Sequence, residues 1–172
     1  PGAKEFLDEL RSFSQVILIS DTFTEFAQPL MEKLGRPTLF CNSLEIADNG
    51  EITGFKMRVE NSKLSTVKAL QSIGFDTIAS GDSYNDLGMI QAGKAGFLFR
   101  TTEKIKEDYP EIPAYETYEV AYVGILPGDA GGVRGIFYLV HHRGLPRSMR
   151  KTWYYVCCWM SRCRSSKAVR LP

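Results

Sequence analysis

The chain has 172 residues, with 21 Lys and Arg against 20 Asp and Glu and a net charge of +1, enough length for one domain with a sizeable core. Pro1 opens directly onto a charged amphipathic pattern with no signal-peptide features, and a single cysteine (Cys41) before residue 123 gives no disulfide framework, which fits a reducing, cytoplasmic setting. The near-neutral balance conceals two unlike parts. Residues 1–122 carry 12 Lys and Arg against 19 Asp and Glu, a net of −7, whereas residues 123–172 carry 9 against one, a net of +8.

Ala3, Phe6, Leu7 and Leu10 are spaced as one face of a first helix. Gln15–Ile19 follows as a β-branched strand run, ending at Ser20-Asp21-Thr22. Phe23, Phe26, Ala27, Leu30, Met31 and Leu34 then recur at helical spacing until Gly35 and Pro37 stop them. A helix opening after Ser20-Asp21-Thr22 offers backbone N–H groups to an anion, and the same residues could equally serve as a simple cap. Thr38-Leu39-Phe40 reads as a further strand, with Cys41 at its end as packing. The runs Leu44–Ile46 and Ile52–Phe55 flank Asp48-Asn49-Gly50-Glu51 as a hairpin-like pair.

Ser62 is a plausible N-cap for a helix carrying Leu64, Val67, Leu70 and Ile73. Lys63 would then sit in the first turn, where a cation opposes the helix dipole, so a bound anion or plain solvent exposure has to explain it. Arg58 and Glu60 just before it could reach a substrate, but read better as a solvated pair. Thr77–Ser80 is a short strand run, and Gly81-Asp82-Ser83-Tyr84-Asn85-Asp86 joins it to the helical pattern Leu87–Ile90. Two carboxylates and an amide at a strand-to-helix turn suit Mg²⁺ beside a phosphate, or a polar turn capped by Asp86; a calcium loop would need about twelve residues. A strand at 95–99 and a short charged helix over 101–109 complete the alternation, which implies a doubly wound parallel α/β sheet.

Ser20-Asp21-Thr22, Lys63 and Gly81–Asp86 stand in the order of the second, third and fourth motifs of the haloacid dehalogenase-like hydrolases, and the chain resembles that superfamily from residue 1 to about residue 122. The text around them, including Gln28-Pro29-Leu30-Met31, Pro37-Thr38-Leu39 and Ala95–Phe99, is similar to the bifunctional phosphoserine phosphatase/homoserine phosphotransferase branch. The resemblance implies a Mg²⁺-dependent transfer through an aspartyl-phosphate, with phosphoserine as the small-molecule partner and neither nucleic acid nor membrane involved. It implies Lys63, Asp82 and Asp86 as catalytic residues, Ser20, Asp21, Lys63 and Asn85 as phosphate-binding residues, and Asp82 and Asp86 on the metal side. The family's first motif, an apolar strand ending in Asp-x-Asp or Asp-x-Glu, has no counterpart here. In the resembled fold that strand lies between those ending at Ser20 and Ser80. A truncated haloacid dehalogenase-like core lacking its central first strand is therefore expected, with β edges exposed or re-paired, and an enzyme fragment inactive by itself; the alternative is a non-catalytic phosphate- or protein-binding module.

Residues 123–172 read as a basic tail of no recognisable fold, frameshifted or disordered, set apart from a partial core domain at 1–122. Cys157, Cys158, Cys163, His141 and His142 match no usual zinc spacing. Arg150, Lys151, Trp153, Tyr154, Tyr155 and Trp159 mix cations and rings as single-strand binders do, without a recognisable module. Trp153–Met160 is too short to span a bilayer.

Overall fold

Alternation of apolar side chains along the central strands decides the layering. In β1 (Gln15–Phe23) Val16 and Leu18 face one side of the sheet while Ile17 and Ile19 face the other, and all four are buried. A strand apolar on both faces must be covered on both, which requires a helix–sheet–helix sandwich. The computed structural model describes residues 2–119, 121, 135–139 and 169–170, and has this arrangement. After α1 (Ala3–Arg11) and β1 come α2 (Thr24–Lys33), β2 (Thr38–Ile46), β3 (Glu51–Lys56), α3 (Ser62–Ser72) and β4 (Asp76–Gly81). A 3₁₀ turn at Tyr84–Asp86 leads to α4 (Leu87–Ala92), β5 (Ala95–Phe99), α5 (Glu103–Asp108) and β6 (Ala114–Tyr115). Two further segments, β7 (Gly135–Leu139) and β8 (Val169–Arg170), join the sheet, whose order among the described residues is β6-β5-β4-β7-β1-β2-β3-β8.

One face packs Phe6, Leu7 and Leu10 of α1 on Val16, Leu18, Ile78, Phe97 and Phe99. The other packs Val67 of α3, Met89 and Ile90 of α4 and Ile105 of α5 on Ile17, Ile19, Ala79 and Leu98. At one margin Tyr118 stacks on Phe6 and Phe99, each with ring centres 4.9 Å apart, and the Arg100 guanidinium lies 4.8 Å over the Tyr118 ring. Burial of the Tyr118 phenol pushes its pKa up.

The helix–strand alternation of the sequence is present, with differences of local physical origin. Thr38–Phe40 and Leu44–Ile46 are one continuous strand, β2, because its first half pairs in parallel with β1 and its second half antiparallel with β3. Gly50 closes that hairpin with φ +82° and donates its N–H to the Ala47 carbonyl at 2.8 Å. Cys41 is half-buried, with its Sγ 3.3 Å from the Thr24 hydroxyl oxygen, and burial pushes its thiol pKa up, as packing rather than chemistry requires. Among the described residues, no helix is long and apolar enough to cross a membrane.

The centre of the sheet departs from expectation most. Instead of meeting directly or leaving open edges, β1 and β4 both pair in parallel with β7. Seven residues of the basic segment lie in strands, five in β7 and two in β8. His141, His142, Cys157, Cys158, Cys163 and the Arg150–Trp159 stretch lie outside the described residues.

Leu98 of β5 is fully buried beneath the α3–α5 face. Leu98→Ala should lower stability by about 3 kcal/mol in urea unfolding, the combined transfer and cavity cost of a closed site.

Candidate active site

Three elements meet at the carboxyl ends of β1 and β4. The first contribution is an irregularity in β1. Between Ile19 and Phe23 that strand advances four positions while β2 advances only from Phe40 to Asn42, so Ser20-Asp21-Thr22 forms a bulge within the strand. The sequence placed these residues at a helix cap; α2 begins later, at Thr24, after Phe23, which provides no side-chain cap. A bulge bends a strand and re-aims its side chains, here turning Asp21 toward α3. The Thr22 N–H donates to Ser20 Oγ at 3.3 Å, and Asn42 Nδ2 donates to the Asp21 carbonyl at 3.1 Å, fixing the bulge from inside.

The second contribution is Lys63. Asn61, in the left-handed region with φ +48°, sets the start of α3, and Ser62 is its first helical residue rather than its cap. Lys63 in the first turn is only 5% exposed. Its Nζ lies 2.7 Å from Asp86 Oδ1 and 3.0 Å from Asp21 Oδ2, so carboxylates from two other elements offset the adverse helix dipole. Neither contact has the alignment of a hydrogen bond. The ammonium is held by charge, with donor directions not committed to either partner.

The third contribution is the Gly81–Asp86 turn. Asp86 is fully buried, and its Oδ2 accepts from the Asp82 N–H at 3.1 Å, the Ser83 N–H at 3.0 Å and the Ser83 hydroxyl at 2.6 Å. Ser83 and Asp86 form a reciprocal capping box for the 3₁₀ turn. Asp86 is therefore the turn cap, one of the two sequence readings, and also an ion-pair partner of Lys63, which neither reading named. Gly81 makes the approach possible: a Cβ there would stand 2.4 Å from Asp86 Cβ and 2.5 Å from its Cγ. Asn85 donates from Nδ2 to Asp21 Oδ2 at 2.9 Å and accepts from the Ser83 hydroxyl. Asp82 is 8% exposed, and its carbonyl accepts from the Thr101 hydroxyl at 2.8 Å. The Ser80 hydroxyl, near the end of β4, is fully buried with no hydrogen-bond partner among the described residues.

Lys63, Asp21, Asn85 and Asp86 are thus in direct contact, with Ser20 and Asp82 on the segments that carry them. Sequence reasoning missed the layer behind. Arg58 and Glu60 are both exposed, yet Arg58 also has partners: its guanidinium lies 4.7 Å over the Phe40 ring and donates to Ser62 Oγ at 2.8 Å and Thr66 Oγ1 at 2.5 Å. Its N–H donates to Asn42 Oδ1 at 3.1 Å, so Asn42 links the Arg58 loop to the Asp21 bulge. A signal was available, since Asn42 interrupts a strand and Thr66 stands one turn after Ser62. Among the described residues, no three His, Cys, Asp or Glu side chains are grouped to hold a metal. Asp86 is spent on Lys63 and its own turn, and one further carboxylate, Asp82, falls short of an octahedral Mg²⁺ shell, so the described residues do not by themselves fit Mg²⁺.

A parallel α/β sheet with a lysine–carboxylate cluster at the ends of its central strands is the setting of several phosphoryl-handling families, and comparison specifies which. Residues 1–91 match the family model described as haloacid dehalogenase-like hydrolase, and the chain belongs to that family. It is 47% identical over 118 residues to the phosphoserine phosphatase ThrH of Pseudomonas aeruginosa, covering 69% of this chain and 58% of that protein. It is 41% identical, again over 118 residues, to a phosphoserine phosphatase of Pseudomonas syringae pv. tomato, covering 69% of this chain and 50% of that one. The chain therefore spans between half and three-fifths of the length of these relatives. Among solved structures, a phosphoserine phosphatase in apo form superposes with a TM-score of 0.59 at 25% identity, over 74% of this chain and 66% of that one. A phospho-aspartyl intermediate analogue of phosphoserine phosphatase does so with 0.59 at 26%, over 73% and 63%.

Two substitutions test the geometry. Lys63→Met should cost about 3 kcal/mol or more in urea unfolding at neutral pH, because it strands the buried Asp86 carboxylate. The double variant Lys63→Met/Asp86→Leu should recover part of that loss, a coupling read by the double-mutant cycle. Gly81→Ala should cost about 2 kcal/mol by pushing Asp86 off its turn, with altered amide shifts at Asp82 and Ser83 in the NMR spectrum.

Proposed function

We propose that this chain carries the phosphate-handling part of a phosphoserine phosphatase-like active site. The observation that carries the reading is the buried Lys63 ammonium, charge-balanced by Asp86 and Asp21 yet aligned as a hydrogen-bond donor to neither. A phosphoryl oxygen entering beside it gains a charge-assisted hydrogen bond without the removal of an existing aligned one. Asp21 is the partner that yields: its side chain is 40% exposed, while Asp86 is fully buried and held by three donors of its own turn. Asn85, released from Asp21 Oδ2, turns its amide to a second oxygen. Ser20, on the bulge, offers its hydroxyl to a third. In a reaction whose charge spreads over peripheral oxygens, positioned donors of this kind supply most of the catalysis.

Asp82 stands beside this cluster, and in the proposal it is a single ligand on the metal side. The small-molecule substrate class, phosphoserine, is supported by the names of the relatives and by the similarity of the text around the motifs. Transfer through an aspartyl-phosphate needs a carboxylate nucleophile after an apolar strand, and no Asp-x-Asp stands anywhere in these 172 residues. The chain by itself accordingly binds phosphate without turning phosphoserine over.

Titration calorimetry with inorganic phosphate, and with phosphoserine under a phosphate-release assay, tests this. Binding of both is expected, about tenfold weaker in Ser20→Ala from loss of one hydrogen bond to a charged group, with no phosphate released. Release of phosphate by the unaltered chain would sink the missing-nucleophile reading, and absence of any phosphate binding would sink the site.

A further inference from the structure

The carboxylate of Asp21 stands where an anion would be held. One of its oxygens, Oδ2, accepts from Asn85 Nδ2 at 2.9 Å and lies 3.0 Å from Lys63 Nζ. These are the two side chains that receive phosphoryl oxygens in the proposed function, so a carboxylate of the chain itself fills part of that place. The backbone of Asp21 is pinned, since its carbonyl accepts from Asn42 Nδ2 at 3.1 Å and Asn42 is buried. The side chain is not. It is 40% exposed, so a change of rotamer carries the carboxylate into water without moving the strand. That rotation strands no charge, because Lys63 keeps Asp86 Oδ1 at 2.7 Å.

A tethered occupant sets a threshold for every free anion. Its own backbone holds it at a high effective concentration, whereas an incoming molecule loses translational freedom on binding. A free carboxylate is planar, and on Lys63 and Asn85 it makes only the contacts that Asp21 already makes. That exchange gains nothing. A phosphoryl group is tetrahedral and brings further oxygens. In the proposed function it also meets the Ser20 hydroxyl, whose oxygen accepts from the Thr22 N–H at 3.3 Å and which has a proton of its own to donate.

We infer that Asp21 is a specificity-determining residue of this site: a tethered carboxylate that excludes free carboxylates and yields to a phosphoryl group. Resting on the proposed function, this gives a phosphorylated amino acid a single orientation. Phosphoserine carries a carboxylate as well as a phosphoryl group, and with Asp21 in place the phosphoryl end is the one that displaces the occupant and reaches Lys63.

Titration calorimetry on the full chain, with inorganic phosphate and with acetate as the carboxylate probe, reads the exchange. The unaltered chain is expected to bind phosphate and to take up no acetate at concentrations that saturate it with phosphate. Asp21→Asn, which keeps an acceptor for Asn85, and Asp21→Ala, which removes it, are both expected to bind acetate in competition with phosphate. Both should also bind phosphate about tenfold tighter, the factor gained when a closed state holding about nine-tenths of the molecules is removed. In the NMR spectrum of the unaltered chain the Asn85 side-chain amide should shift with phosphate and stay fixed with acetate, a readout that depends on no variant. Equal or weaker phosphate binding in both variants would overturn the role of Asp21 and leave the proposed function standing. Acetate binding by the unaltered chain, with a shift of the Asn85 amide, would do the same. If neither the unaltered chain nor either variant binds phosphate, the proposed function fails and the role of Asp21 fails with it.

Discussion

The charge of Lys63, taken out of water at the start of α3, is the constraint around which the site is organised. An isolated buried ammonium is far too costly to persist, so every element near it is arranged to supply countercharge. Asp86 comes from the turn after β4 and Asp21 from the bulge in β1, and no two of the three residues share a secondary-structure element. Such a trio adds little to net stability, because desolvation cancels most of the attraction. It specifies position instead. With Lys63 fixed, the bulge, the 3₁₀ turn and the helix start have little freedom to move independently.

The two carboxylates are unequal, and the inequality is what makes the cluster functional in outline. Asp86 is enclosed, with its Oδ2 held by three donors of its own turn, so it behaves as a permanent part of the framework. Asp21 is open to solvent on one side and shares a single oxygen between Lys63 and Asn85. In the proposed function the exposed Asp21 is the partner exchanged for an arriving anion, while the enclosed Asp86 keeps the cation in place.

Behind the cluster lies a layer of neutral hydrogen bonds that transmits position. Asn42 holds the Asp21 carbonyl with its amide nitrogen and the Arg58 N–H with its amide oxygen, while Arg58 reaches forward to Ser62 and Thr66 at the head of the helix that bears Lys63. Thr101 ties the Asp82 carbonyl to the loop after β5. Each link joins segments far apart in the chain, so the site inherits the rigidity of the sheet rather than of any one loop.

Sequence alone determined the elements and the chemistry of their ends. Periodicity located α1, α2, α3 and the strands that alternate with them, because burial on one or both faces writes itself into spacing. Residue type and order marked Lys63, Asp82, Asn85 and Asp86, because an adverse charge in a first turn and paired carboxylates after a strand are locally unusual. Tertiary structure alone decided three things. The bulge at Ser20–Thr22 follows from β1 running on beside β2, a relation between distant segments that no local pattern records. Arg58 became part of the framework because Phe40 and Thr66 fold beneath it, although its neighbours in the chain suggest only a solvated loop. And the strand that pairs between β1 and β4 is Gly135–Leu139, from the basic segment far along the chain. Strand pairing is a long-range choice made by unsatisfied backbone groups, which are identical in every residue but proline and therefore invisible in a sequence.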